Sequence, residues 1–333
     1  MEFSAFDPLD ATEQWLKQGR AVALGTVIAT WGSAPRQPGS VIAVREDGAF
    51  AGSVSGGCVE GAVIEAAEAS LRDGKHRRLE FGVADEQAWS VGLVCGGHIE
   101  ILVEPVNLAL VQALNELRRQ QKCAVRAVDP AGGETRLIDP LTDRSPLGLA
   151  AAAAARADKS GMAEAEGRQW FLAVFNPPVD LAVVGAVHIA QALAAMAPRL
   201  GFRLRVIDPR QAFATAQRFP GVTLVLSYPD EAFASAPLGP RSALVTLSHD
   251  AKIDDPALLA GLSSPAFYIG ALGSRRTHAA RLERLGAKGA AEEALARIHG
   301  PVGLAIGAKS PEEIALSILA QLVERLRLPE GRS

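Results

Sequence analysis

Two of the three cysteines in this chain stand beside paired glycines. In AGSVSGGCVEG (51–61), Cys58 follows Gly56 and Gly57 and runs into a helical pattern; in GLVCGGHIE, Cys95 precedes Gly96 and Gly97. Thiolates are soft ligands, suited to a soft metal or to carrying sulfur. Cys58 at or just before a helix N-terminus is expected to have a lowered pKa, because the aligned N–H groups favour the anion. The glycines remove side chains that would keep a bulky ligand off the backbone. Cys95 falls at a strand edge or turn. The plain alternative for any lone cysteine is a small buried hydrophobe, and Cys123, between Lys122 and Ala124 at a strand start, reads that way. Arg36 and Gln37, between two prolines in WGSAPRQPGS (31–40), add a rigid polar loop that could face an anion or be a surface turn.

A second set of candidates has a nucleotide-binding layout. VVGAVHIAQAL followed by RVIDPR reads as strand, glycine turn, helix, strand and terminal acid. Gly185 supplies the turn, the next helix offers N–H groups to a phosphate, and His188 and Arg210 lie in the adjoining turns. Asp208 lies 23 positions after Gly185, near the spacing of about 20 for an acid that holds a ribose hydroxyl. The fingerprint is incomplete, since Val187 occupies the place of the second glycine, where a pyrophosphate approaches the backbone. That disfavours NAD(P), and a Rossmann-type sheet without a dinucleotide is an equal reading. In AFYIGALGSRRTHAAR, Gly270 and Gly273 precede a cap, Ser274, and Arg275 and Arg276 at the start of a helix. A helix N-terminus with two guanidinium groups suits an anion. His249 and Asp250, in TLSHD, end a strand where α/β folds place ligand residues, or simply cap the next helix.

The elements that must position these residues follow from periodicity. Asp10-Ala-Thr-Glu13 predicts a capping box opening the first helix. Ala21–Ile28 and Val41–Arg45 are apolar and β-branched enough for strands, Val59–Leu71 carries a helical face, and His98–Val103 alternates as a half-exposed strand does. A helix over 108–121 and a strand over 124–128 follow. From 129 to 170 the pattern weakens into PAGGE, Pro140–Pro146 and an alanine run, which predicts a connecting region. Beyond it, strands at 180–185, 203–208, 222–226, 243–247 and 266–269 alternate with helices, implying a parallel, doubly wound sheet. Ser310-Pro-Glu-Glu313 opens the last helix with cap, proline and box.

Size and charge bound the function. With 333 residues, 48% hydrophobic and 21% charged, two globular domains are expected. A net charge of −3 gives no support for nucleic acid or an anionic membrane surface as a partner. Three cysteines make no disulfide framework, their spacing matches no zinc pattern, and the first residues, MEFSAFDPLD, lack a signal-peptide pattern. A cytoplasmic protein is expected, and a homodimer only from the prevalence of symmetric homo-oligomers.

Taken in order, GSAPRQPGS (32–40), AGSVSGGCVEG (51–61) and VGLVCGGHIEILVEP (91–105) resemble the N-terminal signatures of the XdhC/CoxI family of xanthine dehydrogenase accessory proteins. VVGAVHIAQAL, VIDPR, SHDAKIDDPAL, YIGALGSRRTHAARLERL and PVGLAIGAKSPEEIALSILAQ resemble its C-terminal Rossmann domain, although the stricter family turn reads GAGH where this chain has GAVH. The resemblance implies an N-terminal mixed α/β domain (1–128), a connecting region (129–170) and a C-terminal Rossmann-like domain (171–328). It implies a protein that binds molybdenum cofactor, in mononucleotide or dinucleotide form, and protects it during sulfuration, with a cysteine desulfurase as a possible partner. Delivery would be to a xanthine dehydrogenase-type or carbon monoxide dehydrogenase-type molybdoenzyme. Cys58 and Cys95 would then be the molybdenum or sulfur contacts. The enzymatic alternatives are an NAD(P)-dependent oxidoreductase and a sulfur or nucleotidyl transferase acting on the cofactor.

Overall fold

The first strand is apolar without alternation because both of its faces are covered. In the computed structural model, which describes residues 7–32, 36–82 and 97–328, β1 (Val22–Trp31) is buried from Val22 to Ile28. It is the middle of a five-stranded antiparallel sheet with β2 (Val41–Arg45), β3 (Phe50–Gly52), β4 (Arg77–Phe81) and β5 (His98–Pro105), in the order β3-β2-β1-β5-β4. Helix α2 (Glu60–Asp73) lays Val63 and Ala67 on one face, among Val27, Ile42, Ile101 and Val103. It comes so close at Gly25 that an added Cβ would stand 2.8 Å from Val63 Cγ1. The other face packs Leu9 of α1 (Pro8–Lys17) and Leu114 of α3 (Leu108–Arg119) against Val22, Leu24 and Ala43. The expected capping box at Asp10 is replaced by an earlier start. Asp7 caps α1, accepting from the N–H groups of Leu9 at 2.9 Å and Asp10 at 3.1 Å, and Pro8 takes the first helical position, where its missing N–H costs nothing.

Residues 129–170, expected as a connection, carry folded structure. β6 (Ala124–Val128), β7 (Thr135–Ile138), β8 (Gly161–Ala165) and β9 (Arg168–Phe175) form a second antiparallel sheet in the order β7-β6-β9-β8. The alanine run is α4 (Pro146–Arg156), capped by Ser145 and packed through Leu147 and Ala151 on Val125, Trp170 and Leu172. A buried ion pair, Arg126 with Glu104, links β6 to β5.

The chain divides between Pro177 and Pro178. The second unit is the expected doubly wound α/β domain. Its strands β10 (Val179–Val184), β11 (Phe202–Ile207), β12 (Thr223–Val225), β13 (Ser242–Thr246), β14 (Tyr268–Ala271) and β15 (Ile298–His299) are ordered β12-β11-β10-β13-β14-β15, all parallel. Helices α5 (His188–Met196) and α10 (Pro311–Arg327) bury Leu193, Ile318 and Leu322 on one face. On the other face, α7 (Ala251–Leu262) and α8 (Arg275–Ala287) bury Leu258 and Leu285, and α6 (Pro229–Ser235) adds Phe233. Burial on both faces is why these strands read as continuous Val, Leu, Ile and Ala. A short helix, α9 (Glu292–Leu295), precedes β15. After Met196, helix α5 tightens into a 3-10 turn, Ala197–Leu200, stopped by Gly201. Among the described residues no helix is long and apolar enough to cross a membrane.

Candidate functional site

Register alone brings the N-terminal candidates to one end of the first sheet. Trp31 pairs with His98, Phe81 with Ile99, Thr26 with Val41, and Ile42 with Gly52. The C-terminal end of β1, the start of β2, the end of β3 and the start of β5 therefore share an end, and from it emerge Arg36 and Gln37, Gly56 to Cys58, and Gly97. Arg36 and Gln37 are exposed, and Gly97 is buried where it enters β5. Cys95 and Gly96 lie outside the described residues. At the same end the half-exposed ring of Trp31 meets His98 edge-on, centroids 5.0 Å apart.

The loop before α2 is organised by a residue that the motif pattern does not single out. The Glu60 carboxylate accepts hydrogen bonds from Ser53 Oγ (2.7 Å) and from the N–H groups of Val54 (3.2 Å), Ser55 (3.0 Å), Gly56 (3.1 Å) and Gly57 (2.9 Å). The Ser55 hydroxyl also donates to it. In turn, Ser55 Oγ accepts from the N–H groups of Cys58 (2.9 Å) and Val59 (3.0 Å). Burial by itself would push the Glu60 pKa up, but the hydroxyls of Ser55 and Ser53 and the Ser55 N–H outweigh it and hold the group at about 2. The loop amides are thus spent on an internal anion, and a bound phosphate would have to compete with Glu60 for them. Gly56 (φ +83) and Gly57 (φ +121) adopt backbone that L side chains rarely take, and among the described residues a Cβ on either would meet nothing within 4 Å. They give the turn its path and bring no side chain of their own next to Cys58, a half-buried free thiol two residues ahead of α2. Cys123 is half-buried, and its thiol donates to Asn176 Oδ1 at 2.9 Å. A signal for Glu60 is present in SVSGGCVE (53–60): a carboxylate at a helix start behind two serines and two glycines is a natural acceptor for orphan N–H groups.

In the second unit the parallel topology carries the remaining candidates to the carboxyl edge of the sheet, after β10, β11, β13 and β14. There the dinucleotide fingerprint is used internally. Gly185 (φ +106) packs on the backbone after β13; a Cβ would lie 2.8 Å from Ser248 N and 2.9 Å from Ser248 Cα. Asp208, expected to hold a ribose, is fully buried and already supplied with four donors. Its Oδ1 accepts from Arg210 N and Nε, both at 2.9 Å, and its Oδ2 from Ala186 N at 2.8 Å and Arg210 Nη2 at 2.7 Å. Burial would raise its pKa, yet Arg210 and the Ala186 and Arg210 N–H groups bring it below the ordinary value. Asp208 locks the β10–α5 turn, and Arg210 is its counterion. Arg218 adds a clamp from Nη1 to Ala186 O at 2.9 Å. His188 opens α5, exposed and with no side chain capping that helix.

His249 is exposed in the left-handed region (φ +59), rare for a residue with a side chain. Asp250 caps α7, accepting from Lys252 N at 2.9 Å, and Ser248 Oγ donates to buried Asp254 at 2.6 Å. Ser274 caps α8, accepting from Thr277 N at 3.1 Å, and Arg275 and Arg276 are exposed. Among the described residues no group of three or more His, Cys, Asp or Glu side chains could hold a metal ion.

If Asp208 holds the turn, Asp208→Asn turns an amide –NH₂ toward donors. It is expected to destabilise the second unit by about 2 kcal/mol, the cost of leaving buried, charge-paired groups unmatched. A urea titration of the full chain followed by circular dichroism checks this; unchanged unfolding would return Asp208 to ligand binding.

Residues 15–82 match the description "XdhC and CoxI family" and residues 181–322 the description "XdhC Rossmann domain". Over 310 residues the chain is 30% identical to the molybdenum cofactor insertion chaperone PaoD of Escherichia coli, spanning 92% of this chain and 84% of that protein. It is 27% identical over 321 residues to a probable xanthine dehydrogenase subunit of Bacillus subtilis, spanning 93% and 94%. A solved structure described as a xanthine dehydrogenase from Bacillus halodurans has the same fold, with a TM-score of 0.74 over 98% of both chains at 25% identity. With both halves matched in order and a 30% identical relative covered over most of its length, the chain belongs to the XdhC/CoxI family.

Proposed function

We propose that this chain binds molybdenum cofactor as cargo, shelters it while its sulfido ligand is installed, and inserts it into a xanthine dehydrogenase-type or carbon monoxide dehydrogenase-type molybdoenzyme. The observation that carries this reading is the 30% identity over 92% of the chain to a molybdenum cofactor insertion chaperone. The geometry fits such a cargo. Cys58 offers one soft sulfur on a loop fixed by Glu60, and Gly56 and Gly57 bring no side chain of their own beside it. Exposed Arg36 and Gln37, at the same end of the sheet, suit a phosphate-bearing ligand. A single thiol that can touch or carry sulfur and then let go suits delivery better than permanent storage, and Cys95 is proposed as its counterpart. A cysteine desulfurase is the proposed sulfur donor, and a homodimer the proposed assembly.

An NAD(P)-dependent oxidoreductase finds less support. The acid such an enzyme needs is saturated by Arg210 and Ala186, and Val187 stands where pyrophosphate would approach. A sulfur or nucleotidyl transferase acting on the cargo would share the Cys58 site and would differ by leaving a persulfide or a nucleotide product.

The test is anaerobic purification of the full chain from cells making the cofactor, with molybdenum and pterin quantified. Wild-type protein is expected to carry both, and Cys58→Ala to carry less and to activate an apo-molybdoenzyme more slowly. Absence of pterin from the wild type would sink the reading. A Cys58→Ala/Cys95→Ala variant with full activation would remove the cysteines from it.

A further inference from the structure

Helix N-termini gather at the carboxyl edge of the second sheet, and they differ in charge. Helix α6 carries Asp230 and Glu231 in its first turn. Helix α7 is capped by Asp250 and carries Asp254, and α10 carries Glu312 and Glu313, the latter's carboxylate taking the Lys309 and Ser310 N–H groups. The α5 turn has no acid of its own, but its neighbouring cations, Arg210 and Arg218, are committed to Asp208 and to the Ala186 carbonyl. Helix α8, capped by Ser274 and without an acid in its first turn, alone among these carries two exposed arginines there.

A separate observation lies beneath that turn. Arg281, on the same helix, is 3% exposed and reaches back toward the α8 N-terminus. Its Nη2 donates to Leu272 O at 2.6 Å and sits 3.6 Å from where a Cβ on Gly273 would be, while its Nε and Nη1 have no partner. One turn away, His278 Nδ1 is buried against Gly300, also without a partner. The acids that act on Arg281, Asp254 and Asp255, are engaged elsewhere: Asp254 by Ser248, Asp255 by Arg284 and Lys288. Buried guanidinium nitrogens are rarely left unmatched, and such orphan donors call for an acceptor. Gly273, at φ +142, keeps the space over Arg281 free of a side chain.

We propose that the β14–α8 turn, with Ser274, Arg275, Arg276 and the buried Arg281, is the phosphate-binding centre of the second unit, in place of the closed β10–α5 turn. Resting on the cofactor-cargo reading, its ligand is a phosphate ester of the cofactor, either the terminal phosphate of the pterin side chain or the diphosphate of a nucleotide form.

The probe is inorganic pyrophosphate, titrated calorimetrically into the full-length protein at low and moderate salt. Wild type is expected to bind, with affinity falling as salt rises. Arg275→Ala/Arg276→Ala, both exposed and dispensable for folding, is expected to bind about tenfold or more weakly, the loss of charge-assisted contacts. Arg199→Ala, an exposed arginine ahead of β11 at the opposite edge, is expected to bind as wild type. No binding by wild type, or equal binding by the double variant, overturns the proposal. Cytidine and guanosine diphosphates form the second arm. Tighter binding than pyrophosphate with the same arginine dependence supports the site and names the nucleotide form as its source. Binding no tighter, with that dependence, supports it with the pterin phosphate as source, and binding without that dependence overturns it. These probes contain neither pterin nor molybdenum. A purified chain lacking cofactor but binding pyrophosphate through these arginines would therefore count against the cargo reading and leave the phosphate site standing.

Discussion

Replacing Gly185 with alanine is expected to destabilise the second unit by about 3 kcal/mol or more, combining backbone strain with forced overlap. Two costs add. The residue sits at φ +106, where an L side chain is strained, and its Cβ would lie 2.8 Å from Ser248 N and 3.1 Å from the Leu247 carbonyl carbon. Those are backbone atoms at the end of β13, unable to swing aside as a side-chain tip would. Moving them disturbs Ser248, whose N–H and hydroxyl hold Asp254. Gly221→Ala is the control, at φ +72 with nothing within 4 Å of its Cβ; it is expected to lose only about 1 kcal/mol, the left-handed cost alone. All four tryptophans (Trp15, Trp31, Trp89 and Trp170) precede Pro178, so their fluorescence follows the first unit while circular dichroism follows both. The Gly185→Ala melt is expected to lose its transition by circular dichroism about 6–12 °C early, with the tryptophan transition unmoved. A melting temperature equal to that of Gly221→Ala would show that Gly185 is not held by packing and would return it to ligand approach.

That same glycine marks where the sequence is legible and where it is not. The alternation of strands and helices from Val179 onward follows from apolar runs and caps, and Ser310–Glu313 forms the box its spacing predicts. A glycine turn followed by an acid 23 positions later looks identical whether the acid holds a ribose or a backbone N–H. The difference lies in Arg210, two residues on, folding back over Asp208, and in Ser248, 63 positions away, pressing on Gly185. Such contacts are long-range and leave no periodic trace. Residues 129–170 are opaque for another reason. Their strands run four to five residues before β9, and Asp129 and Asp139 tie the turns between them by side-chain acceptance from Ala131, Gly132 and Leu141. Asp, Gly and Pro at that density read as a linker until the partner strands are known. Cys58 is legible as a residue of interest because its neighbours are unusual; its holder, Glu60, resembles an ordinary first-turn acid.

Glu60→Gln is expected to remove most of what fixes the Cys58 loop, and the first unit should lose about 3 kcal/mol at neutral pH. The carboxylate sits at about 2 against an ordinary 4.5, and at about 1.4 kcal/mol per unit that difference is roughly 3 kcal/mol favouring the ionised, folded form. It is 9% exposed, so solvent screens the interaction little. Glutamine keeps one acceptor oxygen but turns an –NH₂ toward Ser53, Ser55 or the amides of Val54 to Gly57, donor against donor. The sign with pH follows from the lowered value. The unfolded chain takes up its proton near 4.5 and the folded one only near 2. The contribution is therefore complete above about pH 4.5 and is lost as pH falls through about 2. Urea unfolding followed by tryptophan fluorescence at pH 7, 4 and 3 should show the gap between wild type and Glu60→Gln shrinking as the pH falls. A gap constant across that range would mean that the carboxylate's charge contributes nothing to the loop. The loop's link to function is read separately through Cys58. Released from the Ser55 hydroxyl, its backbone no longer holds one position, so Glu60→Gln should change the rate at which the Cys58 thiol is alkylated even where the protein remains folded. An unchanged rate with reduced stability would confine Glu60 to structure; a changed rate ties the internal carboxylate to the way this family member presents its sulfur.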